Sequence, residues 1–252
     1  MAETWIRLYG ELNDFVRPEL RQRPILRRWD VSPSVKDLVE GLGVPHPEID
    51  LLLANGRSVG FGYLVQDGDR ISVYPAFRSV DLAQVSRVRP APLPEIRFVI
   101  DGHLGRLAGY LRMLGLDTAY RNDYDDETLA QVSHDEGRIL LTRDHQLLMR
   151  SIVRNGYWVR ATQPKEQLVE VAQRYGLLQV MRPFTRCLLC NVPLEPVSKH
   201  DVAHLLEPAT RRHYDRFWRC PACQRIYWPG SHHKRMSTLI DELREKLDET
   251  RA

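Results

Sequence analysis

The 252 residues, 43% hydrophobic and 27% charged, have the balance of a globular protein, and the length suits two or three small domains better than one large core. No stretch approaches the roughly 20 continuous apolar residues of a membrane helix, and the opening MAETWIRLYG lacks a basic region followed by an apolar signal core, so no membrane association is expected and the expected compartment is the cytoplasm. The formal charge of +3 is uneven: Lys and Arg number 10 against 12 Asp and Glu in residues 1–84, 15 against 12 in 85–186 and 11 against 9 in 187–252, and most of it is arginine, whose planar fork suits phosphate contact.

In chain order, TWIRLYG alternates as a strand, and the Ser-Pro-Ser of SPSVKDLVEGLG caps a helix. Short strands return in DLLLANG and RISVYPAF, with the turn QDGD between them. This is an α+β, β-grasp order over residues 1–85. The segments VKDLVEGLGVP, LLLANG and DGDRISVYPAF resemble the ubiquitin-like sulfur carriers of thiamin and molybdopterin synthesis. Those carriers end in an activated diglycine, whereas YPAFRSVD here runs on without one, so the segment is expected to serve as an accessory module that docks a protein partner. Residues 86–95, SRVRPAPLPE, hold three prolines and read as a stiff connector.

From residue 95 to 182 strand and helix alternate: IRFVI, HLGRLAGYLRMLG, DTAY, DETLAQVSHDEG, RILLT, HQLLMRSIVRNG, YWVRA and PKEQLVEVAQRYG. Such alternation predicts an α/β parallel sheet with flanking helices. Leu104, Leu107, Ala108 and Leu111 fall on one helical face, and Gly115 suits the helix end. In an open parallel sheet, functional groups collect beyond the carboxyl ends of the strands. Asp101 follows IRFVI and Asp144 follows RILLT, while Asp123, Asp125, Asp126 and Glu127 follow DTAY. Each acid also has a structural use, as a helix cap for Asp125, Asp126 or Asp144 and as a turn residue for Asp123. Together, carboxylates aimed at one place need a compensating cation, and an all-oxygen site selects magnesium or manganese.

The run FVIDGHLGRLAGYLRMLGLDTAYRNDYDDETLAQVSHDEGRILLTRD resembles the Mut-seven C-terminal RNase family, a branch of the PIN-like nucleases, and the likeness extends over residues 96–228. An N-terminal ubiquitin-like segment is a known companion of that domain. The resemblance implies a metal-dependent ribonuclease that leaves a 5′-phosphate and a 3′-hydroxyl. Residue by residue it assigns Asp101, Asp126 and Asp144 as catalytic acids that hold magnesium or manganese; from the acidic cluster itself, Glu127 and Asp123 are the substitutes for Asp126. Arg106, Arg112, Arg143 and Arg150 lie around these acids in the sequence and are candidates for backbone phosphates, a solvated helix face being the alternative.

The four cysteines form two CxxC pairs, Cys187 with Cys190 and Cys220 with Cys223, separated by 29 residues. Four thiolates so spaced close a tetrahedral zinc site, whose binding energy folds a small domain with little core of its own. Residues 183–252 are therefore expected to form a zinc ribbon ending in the helix MSTLIDELREKLDET, redox chemistry being the weaker reading. Between Leu205 and Met236, basic residues including Arg211, Arg212 and Arg219 interleave with Tyr214, Phe217, Trp218, Tyr227 and Trp228, a pattern suited to RNA backbone and exposed bases. The expected whole is a PIN-like ribonuclease between a β-grasp module and a zinc ribbon, acting on transfer RNA or other structured RNA. The alternative is a non-catalytic RNA-binding or ribosome-associated adaptor; a sulfur-transfer partner is the weaker rival.

Overall fold

The structure, a computed structural model, describes residues 1–77, 82, 84–88 and 93–249. The segment RSVD that stands where a carrier would approach its diglycine, and residues 89–92 of the expected connector, lie outside the described residues.

The N-terminal segment contains β1 (Ala2–Leu8), β2 (Ile25–Trp29), α1 (Val35–Glu40), β3 (Leu51–Ala54), β4 (Arg57–Ser58) and β5 (Arg70–Tyr74). Its sheet runs in the order β2-β1-β5-β3-β4, with β1 parallel to β5 and antiparallel to β2, a β-grasp-like arrangement. Along β1 the side chains of Thr4, Ile6 and Leu8 are buried while Trp5 and Arg7 face out, the period of two that a one-sided sheet requires. Ile6, Leu52, Ile71 and Val73 meet Val35 and Val39 of α1 in one core. Ser34 caps α1 by accepting from Asp37 N at 3.2 Å. In the QDGD turn Gly68 takes φ +80°, and Asp69 accepts from Gln66 N, Asn55 Nδ2 and Tyr63 Oη.

There follow β6 (Phe98–Ile100), α2 (Gly105–Met113), β7 (Thr118–Tyr120), α3 (Asp126–Asp135), β8 (Ile139–Thr142), α4 (His145–Leu148), β9 (Gly156–Trp158) and α5 (Pro164–Tyr175). The last part holds β10 (Glu195–Val197), α6 (Lys199–Val202), α7 (Pro208–His213), β11 (Phe217–Arg219), β12 (Ile226–Tyr227) and α8 (Ser231–Glu249). The chain forms two compact units, Met1–Glu95 with Asp125–Trp158, and Ile96–Tyr124 with Val159–Ala252. Parallel strands with flanking helices occur in both: β8 pairs with β9 in the first, β6 with β7 in the second. Every residue of β6 and β8 is buried, as in parallel strands covered on both faces.

In the first unit the β-grasp-like part is joined to the 125–158 segment by specific polar contacts. Buried Glu48 accepts from Trp158 N at 2.6 Å, and His46 sits with Nδ1 2.7 Å from Glu40 Oε1 and Nε2 2.7 Å from Val153 O. Phe15 packs against both His145 and Trp158. The helix expected over HQLLMRSIVRNG stops at Leu148. Val153 reaches the core from an irregular stretch, and Leu140 N donates to Asn155 O, so the chain has already turned back to start β9 beside β8.

In the second unit Leu107, Ala108 and Leu111 of α2 are buried as their spacing requires. Gly115 ends that helix with φ +83°, and a Cβ there would lie 2.0 Å from Arg182 O, so both conformation and packing demand glycine. The three strands β10-β11-β12 form a small antiparallel sheet. The C-terminal helix α8 buries Ile240, Leu243 and Leu247, and Lys165 of α5 pairs with its Glu242 at 2.9 Å. Among the described residues no helix is long and apolar enough to cross a membrane.

Candidate metal centre and strand-end carboxylates

The four cysteine Sγ atoms lie within 4.8 Å of one another, Cys187 and Cys220 buried and their partners half-buried. The 3.7 Å between Cys187 Sγ and Cys223 Sγ matches the edge of a tetrahedron with metal–sulfur bonds of roughly 2.3 Å. Two copies of one local backbone produce this cage. In each, the first cysteine accepts at sulfur from the second cysteine's N–H, Cys190 N to Cys187 Sγ at 3.4 Å and Cys223 N to Cys220 Sγ at 3.5 Å. The next residue, Asn191 or Gln224, is left-handed with φ +64° or +59°, and the first cysteine's N–H closes the loop onto Val192 O or Arg225 O.

The thiols differ in their ease of ionisation. Burial opposes the Cys187 thiolate, but hydrogen bonds from Tyr227 Oη and from backbone N–H groups in its loop prevail and bring it down to about 7. Cys190 is pushed up to about 12 by its hydrogen bond to Cys223, by burial and by the charge of neighbouring thiolates, and burial raises Cys220. One thiolate forms readily and the next ones repel it, the condition that a single divalent cation relieves. The donor set therefore fits a structural zinc ion.

The first knuckle is fastened to α2 and β7 by residues whose roles the sequence did not reveal. Arg112, expected on an RNA-facing surface, is instead buried: Nε donates to Thr118 O at 3.0 Å, and one terminal nitrogen donates to Leu188 O and Leu189 O at 3.1 and 2.8 Å. Its place in the amphipathic stripe beside Leu111 was a signal for burial. Asn191 accepts from Thr118 N and donates to Asp117 Oδ1, while Arg186 donates to Gly115 O and Asn191 O. Tyr227 Oη takes a hydrogen bond from Leu188 N while facing Cys187.

The acids occupy the ends of strands and the starts of helices. In the second unit Asp101 directly follows β6, and its carboxylate accepts from His103 N at 3.4 Å. Asp123 forms a two-pronged exposed pair with Arg121 at 2.9 and 2.8 Å, which holds its carboxyl below the usual range. In the first unit Asp144 follows β8 by two residues and caps α4, accepting from Gln146 N at 2.8 Å. Asp125, rather than Asp126, caps α3 through Thr128 N at 2.8 Å; hydrogen bonds from the Thr128 hydroxyl and N–H, with Arg150 adding its charge, lower the Asp125 carboxyl. This leaves Asp126 and Glu127 exposed on the first turn of α3. Among the described residues the cysteines are the group that brings three or more metal-ligating side chains so close together.

Of the arginines proposed for RNA, Arg106, Arg143, Arg150, Arg211 and Arg212 are exposed and Arg219 is half-buried, whereas Arg112 serves the knuckle. The family model for the Mut7-C RNAse domain matches residues 96–240, and the model for the Mut7-C ubiquitin segment matches residues 1–81. No curated protein and no solved structure gives a significant match.

Proposed function

Because the chain belongs to the Mut7-C RNAse domain family, with a Mut7-C ubiquitin segment preceding that domain, we propose that it is a metal-dependent ribonuclease that hydrolyses RNA phosphodiesters, with transfer RNA or other structured RNA as substrate. The observation that carries the reading is that one family match spans Asp101, Asp126, Asp144 and all four cysteines.

Asp101, Asp126 and Asp144 are the proposed ligands of magnesium or manganese, and their carboxylate oxygens are the donors such hard ions select. When bound, the ion supplies an acidified water and positive charge for a leaving oxygen. The capping bond from Gln146 N at 2.8 Å orients the Asp144 side chain at its strand end, and the 3.4 Å contact from His103 N to Asp101 is looser. Asp126 and Glu127 face solvent at the start of α3, open to a ligand. Exposed Arg106, Arg143 and Arg150 are suited to hold phosphates on either side of the scissile bond. The four cysteines hold structural zinc, and the ubiquitin-like segment is the proposed surface for a protein partner.

The test is cleavage of end-labelled small RNA and transfer RNA with magnesium, manganese or chelator, comparing wild type with Asp101→Asn and Asp144→Asn. Asparagine keeps the capping oxygen and loses the ionic ligand, so cleavage is expected to fall by at least about a hundredfold in folded protein, the scale of lost metal-centred charge stabilisation. The capping roles of Asp101 and Asp144 favour one second reading, a non-catalytic RNA-binding or ribosome-associated adaptor. Equal RNA binding by all three proteins with no cleavage under any metal would establish it over the ribonuclease.

A further inference from the structure

A cavity of about 730 Å³ opens within the second unit between β11, β12, the first turn of α8 and residues 183–188. The proposed reaction does not use it, and it is distinct from the cysteine cage. Its walls include the rings of Phe184, Trp218, Tyr227 and Trp228. Arg225, His232 and His233 also border it, as does Arg186, whose guanidinium is already held by Gly115 O, Asn191 O and Asp117, and the described lining contains no aspartate or glutamate. An aromatic interior bordered by the exposed Arg225 and by no carboxylate complements a flat heterocycle attached to a phosphate; a purely apolar ligand would have no use for that arginine.

The walls are held before any ligand arrives. Tyr227 is fixed by its hydrogen bonds to the first knuckle. Phe184 has the left-handed φ of +62°, kept in place by donation from its N–H to Met113 O at 2.9 Å, and its ring lies 4.0 Å from that of His233. A non-glycine residue held in that conformation marks a place where the fold maintains strain. Trp228 remains 36% exposed at the cavity, a large stacking face left in contact with water. The exposed Arg225 directly precedes β12 and lines the same cavity as Ser231, His232 and His233 at the start of α8.

We propose that this cavity receives one unpaired base of an RNA strand, stacked against Trp228, with the adjoining phosphate at Arg225 and the start of α8. This deepens the ribonuclease reading and rests on RNA being the ligand. The zinc ribbon then selects RNA with an unstacked nucleotide, such as a loop or a single-stranded end, over a continuous duplex.

The probe is a short single-stranded oligoadenylate carrying one 2-aminopurine, titrated in magnesium-free buffer with the full-length, zinc-loaded protein. Expected is quenching of the 2-aminopurine on binding, poor competition by duplex RNA, and about tenfold or greater weakening in Trp228→Ala, with Trp228→Phe recovering most of the loss. Met236→Trp, which fills the cavity, is expected to weaken binding similarly, and Arg225→Gln to lessen its salt dependence. Zinc content and circular dichroism qualify each variant. Failure of the wild type to bind or quench overturns the inference, as does wild-type affinity in zinc-loaded Trp228→Ala and Met236→Trp, or equal competition by duplex. Binding is read without cleavage: a protein that captures the base yet never cuts loses only the ribonuclease reading. One that cuts RNA while both cavity variants bind normally loses only this inference.

Discussion

Replacing Arg112 by methionine removes a charge and five donors while keeping an unbranched side chain of similar length, and so isolates the fastening of the first cysteine knuckle. The three hydrogen bonds end on Thr118 O, Leu188 O and Leu189 O, and the side chain is buried. Bonds from a charged donor contribute about 1.5–3 kcal/mol each, and an abandoned buried carbonyl costs about 1–3 kcal/mol. These figures do not simply add. Burial pulls the Arg112 guanidinium downward, against the neighbouring Cys187, Cys190 and Asp117 charges, so part of each gain offsets desolvation that methionine never incurs. The net loss expected for Arg112→Met is about 3 kcal/mol, the lower end of the range for breaking a buried charged network. Lysine cannot reproduce the fork and should recover less than half.

Urea denaturation of zinc-loaded protein measures that loss, and competition with a chromogenic chelator measures zinc affinity, expected to fall about tenfold because two of the carbonyls belong to the Cys187–Cys190 loop. The salt dependence of RNA binding separates this role from the one the sequence suggested. A phosphate-contacting arginine contributes roughly 0.7 to the logarithmic salt slope on single strands, so removing it would lower the slope, whereas a buried fastener leaves it unchanged. A stability change under about 0.5 kcal/mol, unaltered zinc affinity and a reduced slope would together refute the structural role.

Cys190→Ser is expected to take bound zinc from one ion per chain to a substoichiometric level, and to abolish the near-ultraviolet signal of Trp218 and Trp228 as the ribbon loosens; metal analysis and circular dichroism check both. Gly115→Ala places a Cβ 2.0 Å from Arg182 O at φ +83°, so a stability loss of more than about 2 kcal/mol is expected from urea denaturation, beyond the ordinary left-handed penalty. Burial holds the His46 imidazole below its ordinary value against the raising pull of Glu40 and Val153 O, with Lys36 assisting the burial. Its contribution to stability is therefore complete above about pH 6.5 and lost as pH falls toward the depressed folded value; His46→Gln should flatten the dependence of the urea midpoint between about pH 7.5 and 5.5.

Much of the fold was legible because the relevant signals are local and periodic. The alternation in β1, the Ser34 cap, the stripe of α2 and each single CxxC loop lie within a dozen residues, and the structure places them as expected. What escaped rests on contacts between residues distant in sequence. Glu48 and Trp158 are 110 positions apart, His46 and Val153 107, and Arg112 and Leu189 77, and no window of sequence distinguishes such partners from exposed polar residues. The strand β2, ILRRW, carries two consecutive arginines and no clear alternation; its pairing with β1 sets it in the sheet. The end of α4 at Leu148 was hidden for a related reason: apolar residues continue at helical spacing, but the return to β9 governs the backbone.

The strand-end acids have a structural use whatever their proposed role. A parallel strand delivers its last residue to a loop that opens the next helix, so an aspartate there meets unsatisfied N–H groups whether or not it also meets a metal. Asp101 and Asp144 accept such bonds, and Asp125 does so at α3 in place of Asp126. Capping alone accounts for Asp125, whose neighbour Asp126 is spared that task and stands exposed on the same turn. A second acid in the first turn also gains about 0.3–1 kcal/mol from the helix dipole, so stability does not separate the two uses of Asp126 and cleavage does. Asparagine caps as well as aspartate but carries no charge, so Asp125→Asn should leave cleavage intact while Asp126→Asn should abolish it; equal effects would show that the pair is an ordinary helix start.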